Sequence, residues 1–324
     1  MVAAMATTGE FHEDDKLGPI GGKTAVLHND SELRAVLVHE FREAADDAAA
    51  AATHVEGGGT TAVHESRKAL RRARAVLELI ADALPKSERR AVRRTLRDAR
   101  RALSTIRDHA VAPEILATLD LDDKDRATGK KVLDNAAEAM PPSAEIKQLL
   151  ADSATRAAAQ VEALEAALPQ EVKWSTIGVG LAGVYREARD ARKKAKKSAK
   201  AFHTWRRRTK ELVYQLELLA GHAGDRVQAI HGEISGVTDA LGHAVDLIML
   251  REFVETFGQG LPFEAIERLQ HTIDAEVHKV VRDARKSAAG PFKAKPKAFG
   301  KRVARAVRKD LAPAEQPAEI DHRD

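Results

Sequence analysis

HESRKALRRARAVLELI, His64 to Ile80, and HTWRRRTKELVYQLELL, His203 to Leu219, decide how this chain folds. Laid one over the other at an offset of 139, they align without a gap. His64 falls on His203, Arg67 on Arg206, Lys68 on Arg207, Arg71 on Lys210 and Glu78 on Glu217. Val63, Ser66, Leu70, Ala73, Leu77 and Ile80 step by three and four, as do Phe202, Trp205, Thr209, Leu212, Leu216 and Leu219. That spacing predicts two helices, each with a narrow buried seam. Beside each seam runs a basic stripe: His64, Arg67, Lys68, Arg71 and Arg74 in the first, His203, Arg206, Arg207 and Lys210 in the second. Tyr185, Arg189, Arg192, Lys196 and Lys200 extend the second stripe upstream. Like charges three or four residues apart repel and destabilise an isolated helix. The crowding makes physical sense if an anion supplies the countercharge. A single basic run taken alone reads as a solvated face.

A second match supports duplication. ALSTIRD (Ala102–Asp108) lies over ALGHAVD (Ala240–Asp246) at an offset of 138. Two matches at nearly one offset predict that each half is one helical bundle. Punctuation by Gly and Pro divides the rest. Helices are expected over about 30–52, 61–84, 86–108 and 143–167, with shorter ones filling 112–139. In the second half they are expected over about 225–256 and 263–288, followed by a basic terminal segment. Residues 185–220 hold neither Gly nor Pro. They read as one helix about 54 Å long at 1.5 Å per residue, or as two helices broken near 197–200. The expected organisation is a tail over 1–27, a first repeat over 28–170, a second over 171–312 and a tail over 313–324.

Composition agrees with an all-α fold. The chain has 324 residues, 44% of them hydrophobic and only 4% aromatic. Ala, Leu, Arg, Glu and Lys dominate, which is the vocabulary of helices. There is no cysteine, so disulfides, thiolate metal sites and cysteine nucleophiles are excluded. The N-terminus has no export-signal pattern and no apolar run approaches a membrane span, so the cytoplasm is the expected location. A net charge of +4 hides segregation: 67–107 and 186–210 are densely basic, while 114–172 is acidic. Sorted charge of this kind points to a polyanionic partner.

A histidine followed by Arg and a basic heptad, occurring twice, resembles the CHAD (conserved histidine α-helical domain) family. The residues that carry the likeness are His64-Glu65-Ser66-Arg67, Arg71-Arg72-Ala73-Arg74 and Arg107-Asp108 in the first half. In the second they are Tyr185, Arg189, His203-Thr204-Trp205-Arg206, Lys210, Tyr214 and Leu241-Gly242 with Asp246. Coverage is about residues 28–310. The resemblance implies two antiparallel helical bundles related by a pseudo-two-fold axis. It also implies a basic central cavity that binds long-chain polyphosphate. The ligand residues expected from it are His64, Arg67, Lys68, Arg71, Arg72, Arg74, Arg107, Tyr185, Arg189, Lys196, Lys200, His203, Arg206, Arg207, Lys210 and Tyr214. The chain departs from the pattern in places. Val245 stands opposite Arg107, and the Lys-rich run before His203 is more basic than expected. The alternating-glutamate motif of a triphosphatase domain is absent.

The chemistry fits that partner. The planar fork of Arg donates two parallel hydrogen bonds to phosphate, and Lys acts as a point charge. Polyphosphate offers no bases to stack, and this chain lacks the aromatic platforms of single-strand nucleic-acid binders. The two histidines could hydrogen-bond phosphate, bind a metal or orient a neighbouring helix. No HExxH or carboxylate–histidine cluster supports a metal, and no cofactor is expected. Asp108 and Asp246 read as partners of basic residues or as caps. GPIGGKT (Gly18–Thr24) is one residue too short between its glycines for a P-loop, and no apolar strand precedes it. The expected function is non-enzymatic binding of inorganic polyphosphate for localisation, storage or sensing, with storage granules as a further partner. The rivals are a nucleic-acid or nucleoid-binding protein and an enzyme acting on polyphosphate.

Overall fold

Proline and glycine cut the chain into helices much as the pattern predicts. In the computed structural model, residues 30–55, 59–195 and 199–311 are described. Both expected tails, 1–27 and 313–324, lie outside them. The first half holds α1 (Asp30–Thr53), α2 (Thr60–Leu79), α3 (Lys86–Ala102), α4 (Ser104–Ala117), α5 (Asp123–Ala137) and α6 (Ser143–Ala167). The second holds α7 (Trp174–Lys194), α8 (Ala199–His222), α9 (Asp225–Ser235), α10 (Thr238–Phe257), α11 (Phe263–Ser287) and α12 (Pro296–Leu311). The fold is all-α, with no strand among the described residues. Gly59 precedes α2 at φ 79°, a left-handed conformation that only glycine adopts cheaply. Pro85, Pro142 and Pro262 stand immediately before α3, α6 and α11. The Asp122 carboxylate caps α5 by accepting the Asp125 backbone N–H at 2.8 Å.

Four boundaries differ from the sequence reading, the first being the helix expected over 61–84, which ends at Leu79. The helix expected over 86–108 breaks at Leu103, a wholly buried residue, and α4 sets off in a new direction. The helix expected over 225–256 breaks at Gly236-Val237. Both breaks serve packing: α3 and α9 stay with their own halves, whereas α4 and α10 pack on each other. Over 185–220 the two-helix alternative holds, and the first of those helices starts earlier than expected, at Trp174.

Helix pairing follows one order in both halves. In the first, α1 packs on α2 and α6, and α3 on α2 and α6. In the second, α7 packs on α8 and α12, and α9 on α8 and α12. One core runs through these eight helices, with Phe41, Leu70, Leu77, Tyr185, Trp205, Leu216 and Phe299 buried in it. A second core joins α4 and α5 to α10 and α11 through Ala112, Val132, Leu247, Leu250, Leu269 and Ile273. The halves meet at this second core and also where α2 touches α8 and α7. At Gly180 the backbone of α7 comes so near that a Cβ would overlap the Leu79 carbonyl oxygen.

Candidate polyanion-binding site

The two histidine-bearing helices, α2 and α8, lie against each other, and a buried ionic network occupies their contact. Gln215 Nε2 donates to the Ala75 carbonyl oxygen at 3.1 Å. Arg208, 5% exposed, is held by Glu187 at 2.6 Å, by Glu211 and by Glu78 at 3.7 Å. Arg74 Nε lies 2.9 Å from Glu211 Oε1, and Arg93 of α3 closes on Glu78. Burial alone would lower the Arg208 pKa, but Glu211, Glu78 and Glu187 together raise it. A buried ion pair adds little net stability, but removing one partner strands a charge. The network therefore fixes the register in which α2 and α8 meet.

Next to this neutralised network lies a cluster of cations that repel one another. Arg67, buried on α2, donates from Nη1 to the Arg100 carbonyl oxygen at 2.9 Å. Its pKa is pushed down to about 9 by burial and by the charges of Arg71, Arg100 and Arg107, with Asp108 opposing. Arg100 of α3 is pushed down to about 10 by burial and by Arg71, Arg74, Arg206 and Arg207. Arg207 is lowered by burial, then by Arg74 and Arg208, with Glu211 and Glu187 opposing. Arginines of four helices thus act electrostatically on the Arg67–Arg100 pair: Arg71 from α2 on both, Arg100 from α3 and Arg107 from α4 on Arg67, and Arg206 and Arg207 from α8 on Arg100. Among the described residues, no carboxylate forms an ion pair with Arg71, Arg100 or Arg107. Gathering desolvated like charges is unfavourable in the free protein, and a bound polyanion reverses the sign of that energy.

Acidic groups and histidines border the cluster. Burial raises the Asp108 pKa, Arg67 and Arg107 lower it, and Asp246 raises it again. On α8 the partly desolvated His203 has its pKa lowered, first by that desolvation and then by Arg206, with Glu252 opposing. His64 is half-buried on α2, and Lys210 is half-buried on α8.

Several expected ligand residues stand elsewhere. Lys68 lies 3.6 Å from Glu65, and Arg72 pairs with Asp47 of α1. Both also act on Glu217, whose carboxyl is pushed up to about 7 by burial, with Arg72 and Lys68 lowering it and Glu40 raising it. These two cations therefore serve acidic neighbours within the fold. Tyr185 is wholly buried, stacks on Phe299 with centroids 4.1 Å apart, and donates its hydroxyl to the Pro291 carbonyl at 2.9 Å. That is a packing contact between α7 and α12. Arg189 Nε donates to the Phe292 carbonyl at 3.3 Å, and Tyr214 is buried on α8. Arg74 is engaged by Glu211. Lys196 and the side chain of Lys200 lie outside the described residues.

Sequence reasoning passed over two features. Arg100 sits inside the cluster but has no cation at the matched position of the second half, so reading by repeat did not single it out. The Arg208–Glu211 pair was visible as an i,i+3 opposite-charge spacing, the signal that could have marked it as structural.

The fold and this cluster define a class: an all-α protein with a partly desolvated group of arginines where α2, α3, α4 and α8 come together. The chain belongs to the CHAD domain family, whose model matches residues 39–255, more than half of its length. It is similar to the crystal structure of the CHAD domain from the plant Ricinus communis, with a TM-score of 0.61. That match has 18% identity and covers 86% of this chain and 97% of the plant domain, a likeness of fold. Among curated proteins none matches the chain.

Proposed function

We propose that this protein binds inorganic polyphosphate, without chemically altering it, at the cluster formed by Arg71, Arg100, Arg107, Arg206 and Arg207. The observation that carries the reading is the gathering of arginines from α2, α3, α4 and α8 around the Arg67–Arg100 contact, where burial and the charges of Arg71, Arg107, Arg206 and Arg207 hold the pKa of Arg67 or of Arg100 down. Cations in that state gain most from a multivalent anion that brings several negative charges at once. Membership of the CHAD family, which is associated with polyphosphate binding, supports the same choice. The repeated pairing of helices supports a duplicated bundle that presents arginines from both halves to one chain.

Arg67 in this account is a positioning residue. Its bond to the Arg100 carbonyl ties α2 to α3, which sets the Arg100 guanidinium against Arg71. No acid or nucleophile is assigned, and the protein acts as a binder that holds, localises or senses the polymer. No helix among the described residues is long and apolar enough to cross a membrane. The cytoplasm, and storage granules within it, are the proposed setting. Titration of long-chain polyphosphate against duplex DNA and ATP tests the reading. Long polyphosphate should displace DNA, and ATP should bind far more weakly. Release of phosphate or formation of nucleotide on incubation with polyphosphate would favour an enzyme instead.

A further inference from the structure

Helix α3 carries eight cations in seventeen residues: Lys86, Arg89, Arg90, Arg93, Arg94, Arg97, Arg100 and Arg101. At 3.6 residues per turn, all eight fall within one arc of about 140°. The apolar face, Val92, Leu96 and Ala99, is buried and lies to one side of that arc. Arg100 at one edge belongs to the central cluster. Arg89 donates to the Ala81 carbonyl and Arg93 pairs with Glu78, so these two tie the helix to the body of the protein. Arg97 pairs with the adjacent Asp98. Arg90, Arg94 and Arg101 are exposed, and among the described residues no carboxylate pairs with them. From Arg101 to Lys86 the row extends about 22 Å at 1.5 Å per residue.

The fold itself supplies a control. α9 occupies the corresponding place in the second half, packing on α8, α10 and α12 as α3 packs on α2, α4 and α6. It does so with one cation, Arg226, in the sequence DRVQAIHGEIS. Packing at this position therefore does not call for arginines, and the i,i+4 like-charge pairs of α3 work against helix stability. The charge is continuous with the central cluster through Arg100, and it occurs in one half only.

We propose that the exposed arginine face of α3 is an exit track, along which a polyphosphate chain longer than the central cluster continues over the surface. The inference rests on the polyphosphate reading above and adds a direction and a length dependence to it. A chain seated at Arg71 and Arg100 leaves past Arg101 and runs by Arg97 and Arg94 to Arg90. Short anions fill the central cluster and never reach the track. Chains long enough to span both gain additional phosphate contacts on α3.

The test compares three proteins with two probes, tripolyphosphate and long-chain polyphosphate. The proteins are the wild type, a track variant (Arg90→Gln, Arg94→Gln, Arg101→Gln) and a central variant (Arg71→Ala, Arg100→Ala). The track variant should bind tripolyphosphate as the wild type does and long chains at least about tenfold more weakly, with a salt slope shallower by up to about three. The central variant should lose both probes, which separates failure of the track from failure of the central site. Long-chain affinity and salt slope unchanged in the track variant would overturn the proposal. So would an equal loss of both probes, or loss of duplex DNA binding alone, which would make α3 a nucleic-acid surface. A thermal melt of the track variant at or above that of the wild type confirms that the comparison is between folded proteins.

Discussion

Arg74 Nε lies 2.9 Å from Glu211 Oε1 where α2 meets α8. One cation of the first basic stripe is thus neutralised by the helix that carries the second stripe. The contact divides the basic residues into those that hold the two halves together and those that repel one another beside them. Arg208, Arg74 and Arg93 belong to the first group, and Arg71, Arg100 and Arg107 to the second.

Removing Arg208 should unfold the protein more easily. Arg208→Ala removes from Glu211 its nearest cation and from Glu78 the second of two, leaving these carboxylates, 5% exposed each, to Arg74 and Arg93 alone. Breaking a buried pair in this way costs about 3–5 kcal/mol. Urea unfolding should show that loss, and an unchanged midpoint would mean that water replaces the guanidinium without penalty.

Gly180→Ala should separate α7 from α2. The added Cβ overlaps the Leu79 carbonyl oxygen, which is backbone and cannot swing aside. Overpacking of this kind costs about 1–3 kcal/mol. Gly183→Ala, on the same helix with open space around it, is the control and should melt no lower than the wild type.

Tyr185→Phe should lower stability and leave polyphosphate affinity alone. The change removes the hydroxyl that satisfies the Pro291 carbonyl while keeping the ring stacked on Phe299. Stranding a buried acceptor costs about 1–3 kcal/mol. A selective loss of affinity at unchanged stability would place this phenol at the ligand after all.

Glu217 gives folding a pH dependence with a definite sign. Its carboxyl is pushed up from 4.5 to about 7, first by burial, so the folded state holds a proton that the unfolded state releases. Stability from this group is complete below pH 4.5 and is lost as pH rises toward about 7. Glu217→Gln should therefore raise the melting temperature at pH 8 and flatten its decline between pH 5 and 8. A variant whose profile parallels the wild type would show that this carboxyl does not titrate in that window.

Much of this molecule is legible from its sequence because helices announce themselves locally. The seam from Val63 to Ile80 and the prolines at 85, 142 and 262 fix where helices run. The breaks at Leu103 and at Gly236-Val237 were not legible, because tertiary packing sets them: α4 and α10 turn away to form a second core with each other. At the candidate site, residue type and spacing found the cations but not their partners. Arg72 and Arg71 are neighbours in sequence, yet one faces Asp47 and the other the arginine cluster. Such a choice depends on which helix packs alongside, and only the fold supplies it.

The central claim is that a group of mutually repelling arginines awaits a polyanion, and it is tested most directly by binding and melting of one double variant. Arg71→Ala with Arg100→Ala removes two cations that have no ion-paired carboxylate among the described residues, and it leaves the buried network of Arg208 untouched. A charge-assisted hydrogen bond contributes about 1.5–3 kcal/mol, so losing two should weaken long-chain polyphosphate binding at least about a hundredfold. The melting temperature of the free variant should hold or rise, because repulsion within the cluster is relieved. Charge reversal at Lys130 and Lys131, exposed on α5, should change neither quantity. Unchanged polyphosphate affinity in a variant that melts like the wild type would contradict the account.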